Sequence, residues 1–535
     1  METASLKEFA KYARRSLIEQ VSTKLELVLS KDSAALRENL EAVNELKYQI
    51  QETSKAQVIE RVAYTWFNRF CALRYMDVNR FNQVMVVSPA EGQFQSEILA
   101  DAKMGHIDQK VVPRKTSQRV FALLEGNAKG ADPQAEAYRL LVVAVCNDYN
   151  RLMPFLFSRI TDYTELLMPD DMLSNNSILA YTREAMTPDV CQDVEVIGWL
   201  YQFYISEKKD EVFASLKKGK KITAENIPAA AQLFTPHWIV RYLVENSLGR
   251  LWMLNHPNSR LKEQMDYYIE PKELETDFLK VPSPEELKIC DPACGSGHML
   301  VYAFDLLYAI YEEEGYDAPD IPRLILEKNL YGIEIDERAG EIAAFALFMK
   351  ARGKYRRFFT KSVRPRICVL KNVIFEENEI AAYMDEVGRD LFTASFQKIF
   401  HEFREADHFG SLIQPTHTDV DHISSILKDK NISRNLFISK THQKVLKVLK
   451  QTDYLSPKYQ VVVTNPPYMG SKGMNRRLSS WAKENYSDSK SDLFSMFITR
   501  ILTLIKGNGY AGIMTPFTWM FLSSYEKLRY YIIWL

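Results

Sequence analysis

About the first 220 residues of the chain place apolar side chains at helical spacing. The clearest stretch is "IERVAYTWFNRFCALRYMD", in which Val62, Trp66, Phe70 and Leu73 form one apolar stripe and predict a core helix. Three arginines lie outside that stripe: Arg61, Arg69 and Arg74. We expect them to be solvated, with a DNA-facing role for some of them as the alternative.

A different pattern follows, in which short apolar runs alternate with helical stretches. The runs lie in "LKICDPACGSG", "NLYGIEID", "RPRICVLKN", "YQVVVTNPPY" and "NGYAGIMTPF". This alternation predicts an α/β fold with βαβ units and an open parallel sheet. We therefore predict a mostly helical N-terminal domain (1–222) and a sheet domain (223–535), joined at the lysine-rich hinge "ASLKKGKKITAENIPAAAQ". Residues 376–458 predict a helical insertion between two strands of the sheet.

Composition narrows the class of protein. The 535 residues are 46% hydrophobic and 26% charged, as in ordinary globular proteins. The net charge is −1, so a surface for nucleic acid must be a local basic patch. The six cysteines form no CxxC pair and no cluster with zinc spacing, so we expect free thiols in a reducing cytoplasm and no metal site. We expect no membrane span, because no stretch approaches about 18 consecutive apolar residues.

The stretch "LKICDPACGSGHML" predicts a strand, a tight turn and a helix. Gly295 and Gly297 permit positive φ and a close approach of the backbone to a ligand. The helix after them offers free amide groups at its N-terminus. Asp291, at the end of the strand, can accept a hydrogen bond from a ligand ammonium. The P-loop lysine and the third glycine of the dinucleotide fingerprint are both missing, so the glycines alone do not identify the ligand.

The next strand ends in "YGIEID", and Glu334 lies 43 positions after Asp291. An acid at this place can take both ribose hydroxyls of an adenosine. Ile335 beside it can pack on the adenine face. Upstream, "AQLFTPHWIV" predicts a helix with Thr235 as N-cap and Pro236 as its first residue.

The strand "YQVVV" meets two consecutive prolines in "TNPPY", which a strand interior does not tolerate. An amide side chain, Asn465, precedes that rigid corner, and an aromatic ring, Tyr468, follows it. The basic loop "GSKGMNRRLSSWAKEN" comes directly afterwards. Its candidates for contact with a phosphate backbone are Lys472, Arg476, Arg477 and Lys483, and a solvated surface remains the alternative.

Taken together, five segments resemble, in order, the DNA adenine methyltransferases. They are "FTPHWIV", "DPACGSG", "GIEID", "NPPY" and "SDLFSMFITRILTLIKGNGYAGIMTPFTWM", within about residues 231–525. The whole chain is most similar to the adenine-specific methyltransferases of BREX phage-defence systems, through "TWFNRFCALRYM" and "FREADHFGSLIQP" as well. The resemblance implies a Rossmann-like class I methyltransferase sheet and cytoplasmic localisation.

The resemblance implies S-adenosylmethionine as the cofactor. Its implied binding residues are Phe234, Thr235, Asp291, Pro292, Ala293, Gly295, Gly297, Glu334, Ile335 and Asn372. Phe234 and Thr235 would lie over the methionine end. The family often has Gly-Asp after the third strand, where this chain has Lys371-Asn372; the Asn372 carbonyl can still accept a hydrogen bond from the adenine amine.

The resemblance also implies catalytic roles for Asn465, Pro466, Pro467 and Tyr468. The adenine amine is a poor nucleophile, because its lone pair is delocalised into the ring. The Asn465 side-chain oxygen and the Pro466 carbonyl can each take one amine hydrogen, and the prolines hold these acceptors in place. Tyr468 offers a face for a flipped base. This chemistry needs no metal.

The expected function is therefore site-specific adenine-N6 methylation of double-stranded DNA with its target base flipped, as the host-marking component of BREX defence, with other BREX components as candidate partners. The alternatives are the methylase portion of a restriction-modification enzyme, a protein-glutamine methyltransferase, and a non-catalytic DNA- or partner-binding subunit. Family members continue into further strands and a C-terminal target-recognition domain. We therefore expect the sequence to be a fragment or an early-terminated form.

Overall fold

The computed structural model describes most of the chain in two compact units. The described residues are 3–30, 33, 36–37, 39–128, 132–158, 163–231, 235–273, 275–388, 394–416, 420–428, 436–456 and 459–533. One unit comprises Met1–Glu207 with Phe359–Ser362, and the other comprises Lys208–Phe358 with Val363–Leu535. The domain division expected at residue 222 stays a prediction.

The described part of the first unit is built from helices. They are α1 (Ala4–Leu29), α2 (Leu40–Glu52), α3 (Lys55–Val78), α4 (Glu97–Lys103), α5 (Arg114–Leu124), α6 (Pro133–Tyr149), α7 (Tyr163–Leu166), α8 (Ile178–Ala185) and α9 (Glu195–Lys217), whose last residues belong to the second unit. Helix α3 confirms the predicted core helix, since Val62, Trp66, Phe70 and Leu73 are each at most 1% exposed.

The expectation of solvated arginines on α3 is wrong for two of the three. Arg69 is buried and donates to the carbonyl and hydroxyl oxygens of Ser158, each at 3.0 Å. Arg74 is half-buried and donates to Ser88 Oγ at 2.6 Å and to the Met186 carbonyl at 3.0 Å. Packed loops leave carbonyl groups that need donors, and the long guanidinium side chains reach them.

Five strands in the second unit form one parallel sheet in the order β3-β2-β1-β4-β5. They are β1 (Ile289–Asp291), β2 (Leu330–Glu334), β3 (Arg366–Val369), β4 (Tyr459–Thr464) and β5 (Ile505–Ile513). All five apolar runs that predicted strands are therefore confirmed. The order reverses at β1 and β4, and open α/β sheets bind ligands at the carboxyl ends of the strands at such a switch point.

Helices precede, connect and follow the strands, and no helix in the described residues is long and apolar enough to cross a membrane. They are α10 (Ile227–Ala231), α11 (His237–Val244), α12 (Arg250–Asn255), α13 (His298–Glu313), α14 (Ile321–Leu324), α15 (Glu337–Lys354), α16 (Glu379–Val387), α17 (Ala394–Glu402), α18 (Ala406–Phe409), α19 (Val420–Lys428), α20 (Leu436–Leu455), α21 (Arg476–Asn485), α22 (Leu493–Leu504) and α23 (Glu526–Ile533). Short 3-10 or π turns lie at Val190–Gln192, Ala224–Asn226, Glu245–Gly249, Arg260–Gln264, Pro284–Glu286, Ile325–Asn329, Phe358–Thr360, Gly410–Leu412, Phe517–Met520 and Ser523–Tyr525. Helices α16 to α20 follow β3 and precede β4, within the stretch that we predicted as an insertion.

The central strands are apolar because both faces of the sheet are covered. All six residues of β4 are buried, as in the middle of a parallel sheet. The pairing of β1 with β4 aligns Ile289 with Val461 and Cys290 with Val462. This register brings the chain after Asp291 and the chain after Thr464 to the same edge of the sheet.

A buried arginine fixes the turn Gly410–Leu412 to the body of this unit. Arg500, on α22, is 2% exposed. Its guanidinium donates to the Ser411 carbonyl at 2.8 Å and to the Leu455 carbonyl at 2.6 Å. Removing this donor leaves two buried carbonyl groups unpaired.

We predict that Arg500→Met destabilises the protein by about 3 kcal/mol, because each unpaired buried carbonyl costs about 1–3 kcal/mol. Urea unfolding measures the change. Arg260→Met is the control, since the Arg260 side chain is 80% exposed in its pair with Glu263, and it should change the free energy of unfolding by less than about 0.5 kcal/mol. Equal effects of the two substitutions would contradict the anchoring role.

Candidate active site

An open pocket lies at the carboxyl ends of β1, β2 and β4. It encloses about 780 Å³, including solvent at its mouth. The predicted site residues that line it are Pro292, Ala293, Gly295, Glu334, Ile335, Asn465 and Pro467. The structure thus brings the Gly-rich turn, the acid of β2 and the proline corner into one cavity.

The two glycines of the turn have different surroundings. Gly295 has φ +52°, and a Cβ added there would meet no described atom within 4 Å. Gly297 has φ +91°, and its added Cβ would lie 3.0 Å from Ala343 Cβ on α15. Gly295 therefore leaves room in the pocket, whereas Gly297 permits close packing of α13 against α15.

The Glu334 carboxylate holds the Gly-rich turn against the end of β2. One oxygen accepts the Gly295 amide at 2.8 Å, and the other accepts the amides of Ile335 and Asp336 at 2.9 Å each. A carboxylate has about four acceptor sites, so one remains for a hydroxyl group in the pocket. Glu334 can thus organise the turn and bind a ligand together.

The two acids at this edge have raised pKa values. Burial raises the pKa of Asp291 to about 7, and the negative charge of Glu334 adds to the effect. Burial also raises the pKa of Glu334 to about 7, and the charge of Asp336 adds to this shift. Asp291 is 2% exposed, and its carboxylate accepts the Ala293 amide at 3.1 Å. A cationic or hydroxyl-bearing ligand would stabilise the ionised forms of these two carboxyl groups.

At the proline corner, the Asn465 side chain lies between two hydroxyl groups. Its Nδ2 donates to Thr235 Oγ1 at 3.0 Å, and its Oδ1 accepts from the Tyr468 hydroxyl at 3.0 Å. That hydroxyl also lies 3.1 Å from the Met514 carbonyl. The amide therefore has a fixed orientation, and its oxygen competes with a second acceptor for a single hydrogen.

Thr235 does not cap a helix, contrary to the expectation from its sequence. Helix α11 begins at His237 with Pro236 as its N-cap. The Thr235 hydroxyl instead accepts the Asn465 amide, because the chain before α11 passes beside the proline corner. Phe234, its predicted neighbour in the cofactor site, lies outside the described residues.

Tyr468 is half-buried, and burial raises the pKa of its hydroxyl to about 12. Its ring meets the edge of the Phe494 ring at a centroid distance of 6.0 Å. Pro466 is buried within the corner. Stacking of a flipped base on Tyr468 stays a prediction.

The end of α18 and the turn after it form a pocket wall that the sequence did not predict. The wall residues are His408, Phe409, Gly410, Ser411 and Leu412. Ser411 Oγ donates to the Pro292 carbonyl at 2.5 Å, and a Cβ on Gly410 would lie 3.0 Å from Ile335 Cγ2. Ile335 and this turn thus face each other closely. The aromatic-glycine pair in "HFGSL" is the only local signal for it, and such pairs also occur in ordinary turns.

Other lining residues were also missed, because their sequences read as ordinary apolar positions. Ile227 and Pro228 come from α10, and Leu493 and Phe497 come from α22. Asp336, the N-cap of α15, lines the pocket beside Glu334. Their helical context alone indicates no ligand.

Asn372 has an internal partner in the structure. It is exposed, and its Oδ1 accepts the Asp407 amide at 3.1 Å. It is not among the described residues that line the pocket. Its contact with an adenine stays a prediction, and a ligand would have to displace the Asp407 amide.

The predicted phosphate-binding residues lie on the loop and helix after the proline corner. Lys472, Arg476 and Lys483 are exposed. Arg477 pairs with Glu405 at 2.5 Å and lies 5.3 Å above the centre of the Phe409 ring. Phosphate binding by Arg477 would therefore compete with Glu405, and contact of all four with DNA stays a prediction.

The chain matches two families of DNA-modifying enzymes. The Eco57I restriction-modification methylase family matches residues 328–534, and the MmeI DNA-methyltransferase domain matches residues 280–370. The chain also aligns with a chain in the solved structure of a DrdV–DNA complex. The alignment covers 100% of this chain and 38% of the chain in the complex, with 12% identity and a TM-score of 0.39.

Two curated relatives are similar over most of this chain. Adenine-specific methyltransferase BrxX of Escherichia coli O9:H4 (strain HS) is 39% identical over 507 residues, which are 88% of this chain and 41% of the relative. Adenine-specific methyltransferase PglX of Lacticaseibacillus casei (strain Zhang) is 32% identical over 590 residues, which are 99% of this chain and 48% of the relative. The chain thus spans less than half the length of each. The predicted resemblance to BREX adenine methyltransferases is confirmed.

We predict that Gly297→Ala costs about 1–3 kcal/mol more stability than Gly295→Ala. Both substitutions place alanine at positive φ, and Gly297→Ala adds overpacking against Ala343 at a φ farther from the left-handed helical value. Urea unfolding without ligand measures both variants. Equal destabilisation would contradict the packing role of Gly297.

Proposed function

From the similarity of this chain to the adenine-specific methyltransferases BrxX and PglX over most of its length, we propose that it is an S-adenosylmethionine-dependent adenine-N6 DNA methyltransferase of the BREX type. One observation carries the proposal: Asn465 and Pro467 line the same pocket as the Gly-rich turn and Glu334. We assign the sheet to the Rossmann-like class I methyltransferases. Its strand order, with the reversal at β1 and β4, supports this assignment.

The residues of the pocket fit this cofactor. Gly295 leaves room in front of the turn, and Glu334 retains an acceptor site for a ribose hydroxyl. Ile335 and Phe409 offer apolar surface for an adenine ring. Asp291 is 2% exposed and is not among the residues that line the pocket in the described part of the chain, so a methionine ammonium would have to reach the end of β1 to donate to it. When bound, S-adenosylmethionine would supply a methyl group on a sulfonium sulfur, and the neutral thioether would be the leaving group.

The chain's own contribution is to hold the target amine. Asn465 Nδ2 is engaged by Thr235, so Oδ1 is the atom left to accept an amine hydrogen. The Pro466 carbonyl is the second acceptor. Two acceptors draw the nitrogen out of conjugation, and their fixed positions avoid reorganisation during the reaction. The methylated nitrogen then loses one proton to water, because the amide and carbonyl oxygens that accept its hydrogens are not bases.

The Tyr468 hydroxyl can change its hydrogen-bond acceptor when a base enters the pocket. Its hydroxyl has one hydrogen and two acceptors, Asn465 Oδ1 and the Met514 carbonyl. If that hydrogen turns to Met514, Oδ1 becomes free for the base while the ring keeps its place. Thr235 acts through Asn465 and is a positioning residue, whereas Asn465 and Pro466, whose oxygens would accept the amine hydrogens, are the catalytic residues.

The substrate that we propose is double-stranded DNA with the target adenine flipped out of the helix. We also propose that the protein marks host DNA in phage defence, with other BREX components as its partners. A second candidate is the methylase portion of a restriction-modification enzyme, favoured by the match of residues 328–534 to the Eco57I methylase family. Both candidates use the same site chemistry.

We predict that Asn465→Ala lowers the rate of methyl transfer to duplex DNA by at least about 100-fold, because one preorganised polar group is commonly worth that much. Transfer of tritium from labelled cofactor to DNA measures the rate. Asn378→Ala is the control, because Asn378 is exposed and its side chain makes no capping bond. An unchanged rate for Asn465→Ala would overturn the mechanism.

Cofactor binding should tighten by at least about tenfold between pH 6 and pH 8. Asp291 and Glu334 have pKa values raised to about 7 in the free protein, and the cofactor favours their ionised forms. Binding near pH 7 should therefore release protons. Isothermal titration in buffers of different ionisation enthalpy measures this release.

Glu334→Gln is the matched variant for the pH experiment, since it keeps the shape and removes one titrating group. It should bind more weakly and release fewer protons. Affinity that is independent of pH in the parent protein would contradict the roles of both acids.

A further inference from the structure

Two basic segments far apart in the sequence lie side by side in the second unit. The hinge carries Ile222, whose amide donates to the Gly473 carbonyl at 3.2 Å and whose carbonyl accepts Asn475 Nδ2 at 3.2 Å. Lys221 Nζ also donates to the Lys472 carbonyl. The hinge is thereby held against the loop that follows the proline corner.

This contact gathers exposed lysines from both segments. We call them the hinge-loop cluster; they are Lys217, Lys218, Lys220, Lys221 and Lys472. Beside them, a pocket of about 470 Å³ is lined by Lys208, Lys220 and Lys221, with Glu211 as its acid. Positive charge is thus in local excess on a chain whose net charge is −1.

The cluster is connected to the candidate active site at both ends. Lys472 lies four residues after Tyr468, and Ile227, which lines the active-site pocket, lies six residues after Lys221. Asn475 joins the two regions, since its Nδ2 donates to His408 Nε2 of the pocket wall at 2.9 Å as well as to the Ile222 carbonyl. These side-chain and backbone contacts therefore connect the cluster to the wall of the active-site pocket.

We propose that the hinge-loop cluster binds the phosphate backbone of duplex DNA beside the flipped base. The proposal rests on the proposed function and adds a DNA contact from the hinge. Lysines act as point charges toward phosphates, and they position the duplex without reading its sequence. Flipping a nucleotide costs unstacking energy, and contacts with the flanking backbone help to offset it. The cluster includes Lys472, four residues after the corner that is proposed to receive the base.

The test compares two double variants that lose equal charge. Lys218→Gln/Lys220→Gln removes two cluster lysines and spares Lys221, which contacts the loop. Lys272→Gln/Lys506→Gln removes two exposed lysines of the same unit that lie outside the cluster. Fluorescence anisotropy with a labelled duplex gives the affinity over a salt series, and thermal unfolding checks that each variant is folded.

Each phosphate contact makes the slope of log affinity against log salt steeper by about 0.9. The slope of the cluster variant, which loses two such contacts, should therefore be shallower than that of the parent by about 1.8. In equivalent terms, the loss of affinity between 50 and 200 mM salt should shrink by about tenfold relative to the parent. The control variant should match the parent, and the effect should be the same for duplexes of different sequence.

Equal salt slopes for the two variants would overturn the proposal, as would a parent protein that binds an acidic protein surface but no duplex. The proposed function is judged separately by methyl transfer. A protein that shows the predicted loss of slope but transfers no methyl group would support the cluster and contradict the proposed function. Methyl transfer to DNA with unchanged salt slopes would support the proposed function and contradict DNA binding by the hinge-loop cluster.

Discussion

The pairing of β1 with β4 is the constraint on which the rest of the site depends. Asp291 and Asn465 are 174 positions apart in the sequence, yet the alignment of Cys290 with Val462 puts the loops that follow both strands at one edge of the sheet. A shift by one residue would turn every side chain of β4 to the opposite face. Full burial of β4 makes such a shift costly, so the register is well specified.

The site at this edge combines two kinds of preorganisation. Backbone amides fix the Glu334 carboxylate, and Thr235 with Tyr468 fixes the Asn465 amide. The first arrangement favours a ligand that carries hydroxyl groups and positive charge. The second offers an oriented oxygen to a substrate amine. A pocket that joins them is suited to bring a methyl donor and an amine together, and the wall from His408 to Leu412 completes it.

The sequence predicted the strands well, because central parallel strands are short apolar runs bounded by turns. It also placed Glu334 at the end of one such run and Asn465 directly after another, and both residues line the pocket, whereas their functional roles stay predictions. It did not predict the partners that tertiary packing selects. Thr235 is a residue type that commonly caps helices, but its hydroxyl instead accepts a hydrogen bond from the Asn465 amide, 230 positions away. Arg69 looked like a surface charge and is buried. The wall around Phe409 and the contact of Ile222 with Gly473 depend on how separate segments meet, which no local pattern encodes.

The central claim is that the site acts on the conjugated amine of adenine in DNA. The most direct measurement uses cofactor with a deuterated methyl group, duplex DNA and a protein acceptor in one reaction, followed by mass spectrometry of the nucleosides and of the digested protein. Deuterium is expected in N6-methyladenine. Deuterium in a glutamine side chain or in a methylated cytosine, with none in adenine, would contradict it.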